Sequence, residues 1–205
     1  MKIGSGLPGS GPVTAGRSLG TCAVVLVGFM GAGKSSVGRA LGDQLGWAFE
    51  DLDERIERRE RRKVPDIFCD SGESAFRRAE HAALKELLAE LKAGARRIIA
   101  LGGGAFAQPR NARLIEAAGV PTVFLDASAE ELWRRCRQQA ELQTIERPLL
   151  GDLKSFRELY RARRPHYLKA KLRQETSGKT IAETTAVLIQ ALGLDRSDGR
   201  RGEKQ

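Results

Sequence analysis

The chain has 205 residues, a formal net charge of +9 from 35 Lys and Arg against 26 Asp and Glu, and only 5% aromatic residues. No apolar run approaches the roughly 20 residues that span a bilayer as a helix. Its three cysteines, Cys22, Cys69 and Cys136, stand far apart with no Cys-x-x-Cys pair, which excludes a disulfide scaffold and a zinc ribbon and predicts reduced thiols in a cytoplasmic setting.

Residues 1–20 are rich in Gly, Ser and Pro, lack the apolar core of a signal peptide and are expected to be a disordered extension. Residues 21–193 are enough for one well-buried domain, and 194–205 read as a flexible charged tail. Cys22–Val27 is a short β-branched apolar run, a buried strand. It leads into Gly28-Phe29-Met30-Gly31-Ala32-Gly33-Lys34-Ser35, which fits Gly-x-x-x-x-Gly-Lys-Ser/Thr at every fixed position. A triphosphate needs inward-pointing backbone N–H groups, and glycines permit that backbone and remove blocking Cβ atoms. The following helix, with Val37, Ala40, Leu41 and Leu45 on its inner side, adds its free N-terminal N–H groups. Lys34 would place its charge on the β- and γ-phosphates, and Ser35 would ligate Mg²⁺.

Residues 47–51 read as a second strand running into Asp51-Leu52-Asp53. Next comes a helix crowded with Arg55, Arg58, Arg59, Arg61, Arg62 and Lys63. Glu54, Glu57 and Glu60 interleave at helical spacing and there is no aromatic to stack on bases, so a solvated, internally paired face is favoured over a nucleic-acid site. Val64 to Cys69 is a short helix with Pro65 in its first turn. Ser71 to about Leu91 is another, with Phe76, Ala79, Ala83, Leu84, Leu87, Leu88 and Leu91 inward. Arg77 falls near that stripe and should face a cleft or a buried carboxylate, with Glu80 one turn on as its holder. Residues 97–101 form a third strand that ends in Gly102-Gly103-Gly104, where a ligand can approach backbone closely. A helix over 109–118 and a strand over 120–125 follow, then a capping box at Ser128–Glu131 opening a helix to about Arg137. Residues 138–151 lack clean periodicity and are expected to be a mobile loop carrying Arg147. A basic helix from Asp152, interrupted near Pro165, a strand over 172–176 and a helix over 180–192 (Ile181, Thr185, Leu188 and Leu192 inward) complete the chain. Alternating strands and helices predict an α/β fold with a parallel sheet covered on both faces.

Asp51 and Asp53 lie at the end of the second strand, beside the phosphate loop. One can help hold Mg²⁺ and the other can accept a hydrogen bond from a hydroxyl nucleophile; the plainer alternative is that they cap a helix. An ordinary Asp, pKa about 3.9, is ionised at neutral pH and a weak base, so orientation of the hydroxyl would be its main contribution. Arg77, Arg147 and Arg163 each have a local frame in which a guanidinium fork could grip a carboxylate, against a default surface role. His81 and His166 read as packing or surface residues.

Six of these motifs occur in order: 28–35, Asp-Leu-Asp at 51–53, Ile67-Phe68 with Gly72-Glu73 and Phe76-Arg77-x-x-Glu80, Gly102–Gly104, Arg147-Pro148-Leu149-Leu150, and Arg163-x-Pro165-x-Tyr167. In them the chain resembles the shikimate kinases from about Ala23 to Leu192. The resemblance implies a three-layer P-loop kinase fold with a five-stranded parallel sheet and a mobile lid at about 138–151. It implies ATP-dependent phosphorylation of the 3-hydroxyl of shikimate, with Mg²⁺, by a monomer with no nucleic-acid or membrane partner. Gly31, Ala32, Gly33, Lys34, Ser35, Ser36, Arg135 and Arg147 would then contact ATP. Ser35 and Asp51 would hold the metal. Asp53, Arg77, Gly103, Gly104 and Arg163 would bind shikimate. Lys34, Asp53 and Arg147 would be catalytic. The chain departs from the family pattern at Leu52 between the aspartates, at Arg61 where a glycine is frequent, in a long lid, and at Ser177–Thr180, which lacks the usual Asn-Pro. A gluconate-type sugar-acid kinase, a nucleotide-dependent regulatory protein and a basic nucleic-acid binder stand as alternatives.

Overall fold

The computed structural model describes residues 22–143 and 152–194. The expected extension, most of the expected lid with Arg147, and the tail lie outside the described residues.

Five strands form one parallel sheet in the order β2-β3-β1-β4-β5: β1 (Ala23–Val27), β2 (Ala48–Asp51), β3 (Arg97–Ala100), β4 (Thr122–Asp126) and β5 (Leu172–Glu175). Every residue of β1 and β4 is buried. That is why they read as continuous apolar runs: a central parallel strand is covered on both faces. The edge strands β2 and β5 are half exposed, polar and four residues long, which blunts the open edges.

The helices are α1 (Lys34–Leu45), α2 (Leu52–Glu60), α3 (Val64–Lys92), α4 (Pro109–Ala117), α5 (Ala129–Gln143), α6 (Leu153–Tyr167) and α7 (Ile181–Leu192). None among the described residues is long and apolar enough to cross a membrane. The two helices expected between 64 and 91 are present: they meet end to end within α3 at Gly72, whose φ of 75° and ψ of 171° are not helical. At its inner side Phe76, Ala79, Ala83, Leu84, Leu87 and Leu88 are buried, as their spacing predicts.

Several boundaries differ from expectation. The buried side of α1 includes Gly38 and Gly42, while Ala40 is only half-buried. A Cβ on Gly38 would fall 2.4 Å from the Phe49 ring, and one on Gly42 2.7 Å from the Trp47 carbonyl oxygen. The glycines thus let α1 sit directly on β2. Helix α5 continues to Gln143, six residues beyond its expected end at Arg137, because Gln, Ala, Glu and Leu sustain a helix without an apolar stripe. Ser128 does accept from the Glu131 N–H at 3.2 Å, but the Glu131 carboxylate turns to Arg134 and Arg135. The complete capping box stands at α7, between Thr180 and Glu183. Ile181, expected inward, is exposed because it opens that helix at the pocket rim. Pro165 is accommodated inside α6, which ends at the buried Tyr167.

The arginine cluster pairs largely with other elements and less within its own helix. Arg55 reaches Glu86 and Glu90, Arg58 reaches Glu50, Arg59 reaches Glu86, and Arg62 reaches Asp70. Lys63–Glu57 and Arg59–Glu60 are the local pairs. These pairs fasten α2 to β2 and α3, each contributing little alone.

Candidate active site

The C-terminal ends of the strands open into a cavity of about 900 Å³. Its lining includes Gly31 to Ser36, Asp51, Asp53, Gly102, Gly103 and Arg135. One wall is the phosphate loop between β1 and α1. Gly31 and Gly33 adopt φ of 78° and 84°, a left-handed backbone that suits glycine. Helix α1 has no side-chain cap at its start, so its first N–H groups and its dipole face the cavity. Lys34 Nζ donates to the carbonyls of Gly28 and Phe29, both at 3.0 Å, and is curled over the loop.

Asp51 ends β2 and does two things. Its Oδ1 accepts from the Asp53 N–H at 3.0 Å, capping α2, while its Oδ2 accepts from Ser35 Oγ at 2.8 Å. The capping reading and the metal-side reading are therefore compatible in one carboxylate. A hydroxyl and a carboxylate joined at the loop mouth suit a hydrated Mg²⁺, which keeps waters and phosphate oxygens and takes few protein ligands. Among the described residues no cluster of three His, Cys, Asp or Glu offers a fuller cage.

Asp53, in the first turn of α2, differs from Asp51. Its Oδ1 is buried with no hydrogen-bond partner. Burial, with the neighbouring Asp51 charge, raises its pKa to about 6 against the opposing pull of Lys34. The sequence-level expectation of an ordinary weakly basic carboxylate is corrected here: the group sits close to neutrality because folding removes its water.

Facing it is the glycine triplet after β3, turned tightly by a bond from the Ala105 N–H to the Gly102 carbonyl, 3.0 Å. Each glycine meets a different side chain. A Cβ on Gly102 would lie 2.5 Å from Asp53 Oδ1, and one on Gly104 2.8 Å from Arg77 Nη2. On Gly103 it would stand 3.6 Å from Arg163 Nη1 and 3.8 Å from the Tyr167 hydroxyl. The Tyr167 hydroxyl also donates to the Gly103 carbonyl. Arg77 Nη1 donates to Glu80 Oε1 at 2.8 Å, and Glu80 is 1% exposed. Burial pushes the Glu80 pKa up, while Arg77 pulls it down. Of the two expectations for Arg77, a cleft or a buried carboxylate, the second is met by Glu80, and the exposed Glu73 also accepts from Arg77 Nε and Nη2 at 3.2 and 3.1 Å. Arg163 lies with its guanidinium 5.8 Å from the Phe29 ring centre.

Arg135 sits at the other end of the cavity. It donates to Glu131 Oε1 at 2.8 Å, Thr176 Oγ1 at 3.2 Å and the Thr176 carbonyl at 2.7 Å, so its plane is fixed. Thr176 in turn bonds through its N–H and hydroxyl to the Asp126 carbonyl, at 2.8 and 3.0 Å. The Asp126 side chain, 2% exposed, accepts from Tyr160, Arg164 and Arg173. This knot joins α6 to β4 and β5, and nothing in the local sequence around Asp126 signals it. Of the sequence-predicted residues, Gly31 to Ser36, Asp51, Asp53, Gly103 and Arg135 line the cavity; Gly104, Arg77 and Arg163 are not among its lining and join it only through the glycine triplet, and Arg147 is outside the described residues.

A family model described as shikimate kinase matches residues 30–193. A shikimate kinase of Thermus thermophilus is 39% identical over 172 residues, covering 82% of this chain and 89% of the relative. Among solved structures, a shikimate kinase from Acinetobacter baumannii in complex with shikimate superposes with a TM-score of 0.72 at 32% identity, covering 83% of this chain and 93% of that one. A gluconokinase from Sinorhizobium meliloti, at 18% identity and a TM-score of 0.53, shares the fold alone. With a match across most of the chain, and with the loop, both aspartates, Gly102 and Gly103 lining one cavity, the chain belongs to the shikimate kinase family.

Proposed function

We propose that the protein transfers the γ-phosphoryl group of ATP to the 3-hydroxyl of shikimate, giving ADP and shikimate 3-phosphate on the way to chorismate and the aromatic amino acids. The observation that carries this reading is the buried, unpartnered Asp53 Oδ1 between the phosphate loop and the glycine triplet. It is an acceptor awaiting a hydroxyl donor, and leaving a buried acceptor unpaired costs about 1–3 kcal/mol that a substrate hydroxyl relieves.

Gly31 to Ser36 would cradle the phosphates with backbone N–H groups. Lys34 would exchange its carbonyl partners for phosphate oxygens and stabilise the charge of the moving group. Ser35, with Asp51 behind it, would hold Mg²⁺, whose charge would offset that of the phosphates. Arg135, held flat by Glu131 and Thr176, suits stacking against adenine. Arg77 and Arg163 stand beside two of the three glycines and would grip the shikimate carboxylate through charge-assisted bonds. Gly103 and Gly104 let the substrate ring approach. Arg147 would come from the lid. In the transfer the shikimate oxygen bonds to the γ-phosphorus and the bond from that phosphorus to the β-bridging oxygen breaks. The hydroxyl proton passes to Asp53, whose raised pKa of about 6 makes it a better acceptor than an exposed aspartate. The reading includes a monomer acting on two small molecules in the cytoplasm.

The test is ADP release with Mg·ATP alone, with shikimate and with gluconate. Release only with shikimate is expected. Release with gluconate alone would move the protein to the sugar-acid kinases, and silence with both, while ATP still binds, would favour a regulatory role.

A further inference from the structure

Asn111, on α4, belongs to none of the motifs that point to the active site, yet it is fully buried and its amide is saturated. Its Nδ2 donates to Glu80 Oε2 at 3.2 Å and to the Ala105 carbonyl at 3.1 Å, and its Oδ1 meets His81 Nδ1 at 2.8 Å. The partners fix the amide's orientation. The Ala105 carbonyl can only accept and an ionised Glu80 only accepts, so both face the NH₂ group. The oxygen then faces His81, whose Nδ1 must carry the proton.

The two acceptors lie on opposite sides of the acid-binding wall. Ala105 immediately follows the glycine triplet, and Glu80 is the buried carboxylate that holds Arg77 Nη1, while the exposed Glu73 takes Nε and Nη2. A single buried amide group therefore links the end of the triplet to the buried carboxylate that Arg77 grips. The spacing between the triplet and the Arg77 guanidinium is already minimal, since a Cβ on Gly104 would lie 2.8 Å from Arg77 Nη2. His81 anchors the amide from the side of α3 that bears Arg77.

We infer that Asn111, braced by His81, is a positioning residue for acid recognition: it holds Arg77 and the glycine triplet at the separation that admits a substrate carboxylate. The inference rests on the reading of Arg77 as a carboxylate-binding arm. It goes beyond that reading in assigning specificity for the acid to a side chain that touches neither substrate. A residue acting only on stability would alter melting temperature and the fraction of active enzyme, leaving both KM values in place. A positioning residue acts on one substrate and acts through Arg77.

The experiment is a double-mutant cycle in the full chain, with KM measured separately for shikimate and for ATP. Asn111→Ala is expected to raise KM for shikimate about tenfold, with KM for ATP changed less than about twofold. In an Arg77→Ala background the same substitution should have no further effect on KM for shikimate. His81→Ala, which leaves the buried amide in place, should shift KM for shikimate two- to threefold in the same direction and serves if Asn111→Ala does not fold. Equal rises in both KM values, or an Asn111→Ala effect that persists in full without Arg77, would overturn the inference. So would an unchanged KM for shikimate in the foldable variants beside an impaired Arg77→Ala. An Arg77→Ala protein with unchanged affinity for shikimate would overturn the arm itself, and the inference with it.

Discussion

The two walls of the cavity are built by opposite means. The phosphate loop is one continuous stretch, 28–35, shaped by its own backbone and by the helix it opens. The acid wall is gathered from α2, α3, α4 and α6 around the triplet after β3, and it is held by polar bonds that join Arg77, Glu80 and Asn111 and tie Tyr167 to Gly103. A wall made of backbone in one segment has few ways to fail except at its own glycines and its lysine. A wall made of side chains from four elements depends on residues that never touch the ligand. The first is written locally in the sequence; the second exists only after folding.

Asp53 lies where the walls meet, so its replacement gives the largest effect. Asp53→Asn should lower kcat by two orders of magnitude or more, within the range for loss of a proton acceptor, with KM for ATP little changed. Comparable loss of ATP affinity would show that the walls are not separable. In the wild type, kcat/KM for shikimate should fall as pH drops through about 6, because the carboxylate must be ionised to accept the hydroxyl. The stability consequence has the opposite sense. A pKa raised in the folded state means that the folded chain binds the proton more tightly than the unfolded one. Stability is therefore lost as pH rises from the ordinary carboxylate range to about 6. Asp53→Asn should accordingly be more stable than wild type at pH 7, by on the order of 1–3 kcal/mol, read from denaturant unfolding.

Gly104→Ala tests the acid wall alone. Its Cβ would press on Arg77, which Glu80 prevents from simply turning away. KM for shikimate should rise about ten- to a hundredfold while KM for ATP stays put. An unchanged value would show that the arginine yields easily. The smallest effect belongs outside both walls. Arg61 closes α2 with φ 53°, the one non-glycine residue with positive φ among the described residues. Arg61→Gly should stabilise the fold by up to about 1 kcal/mol by relieving left-handed strain, leaving both KM values untouched. A change in either would tie that corner to the site.

Much of the fold was legible in the sequence: central strands are apolar throughout, and α3 shows its buried stripe plainly. The phosphate loop was legible because its chemistry is local. Arg77 and Glu80 were legible as a pair because they are neighbours on one helix. What was not legible is contact between distant segments. Gly38 and Gly42 look like weak points in a helix until Phe49 and Trp47 are seen pressed against them. Asn111 carries no motif that separates it from an ordinary packing residue. The arginines of α2 have acidic neighbours at helical spacing, yet several choose partners on β2 and α3, because these elements lie alongside. The pKa of Asp53 could not be anticipated either, since it depends on how much water folding removes.

The glycine triplet carries a consequence for how the family can vary in length. Three successive residues face three different side chains, from α2, α6 and α3 in turn. Their correspondence is a register, one residue to one helix, with no spare position. Insertion or deletion of a single residue between Leu101 and Ala105 would advance every glycine to the wrong neighbour at once, and would pull Ala105 off the amide that anchors it. Loops of this chain can lengthen elsewhere at modest cost; here the count itself is a constraint as strict as the identity of any residue in it.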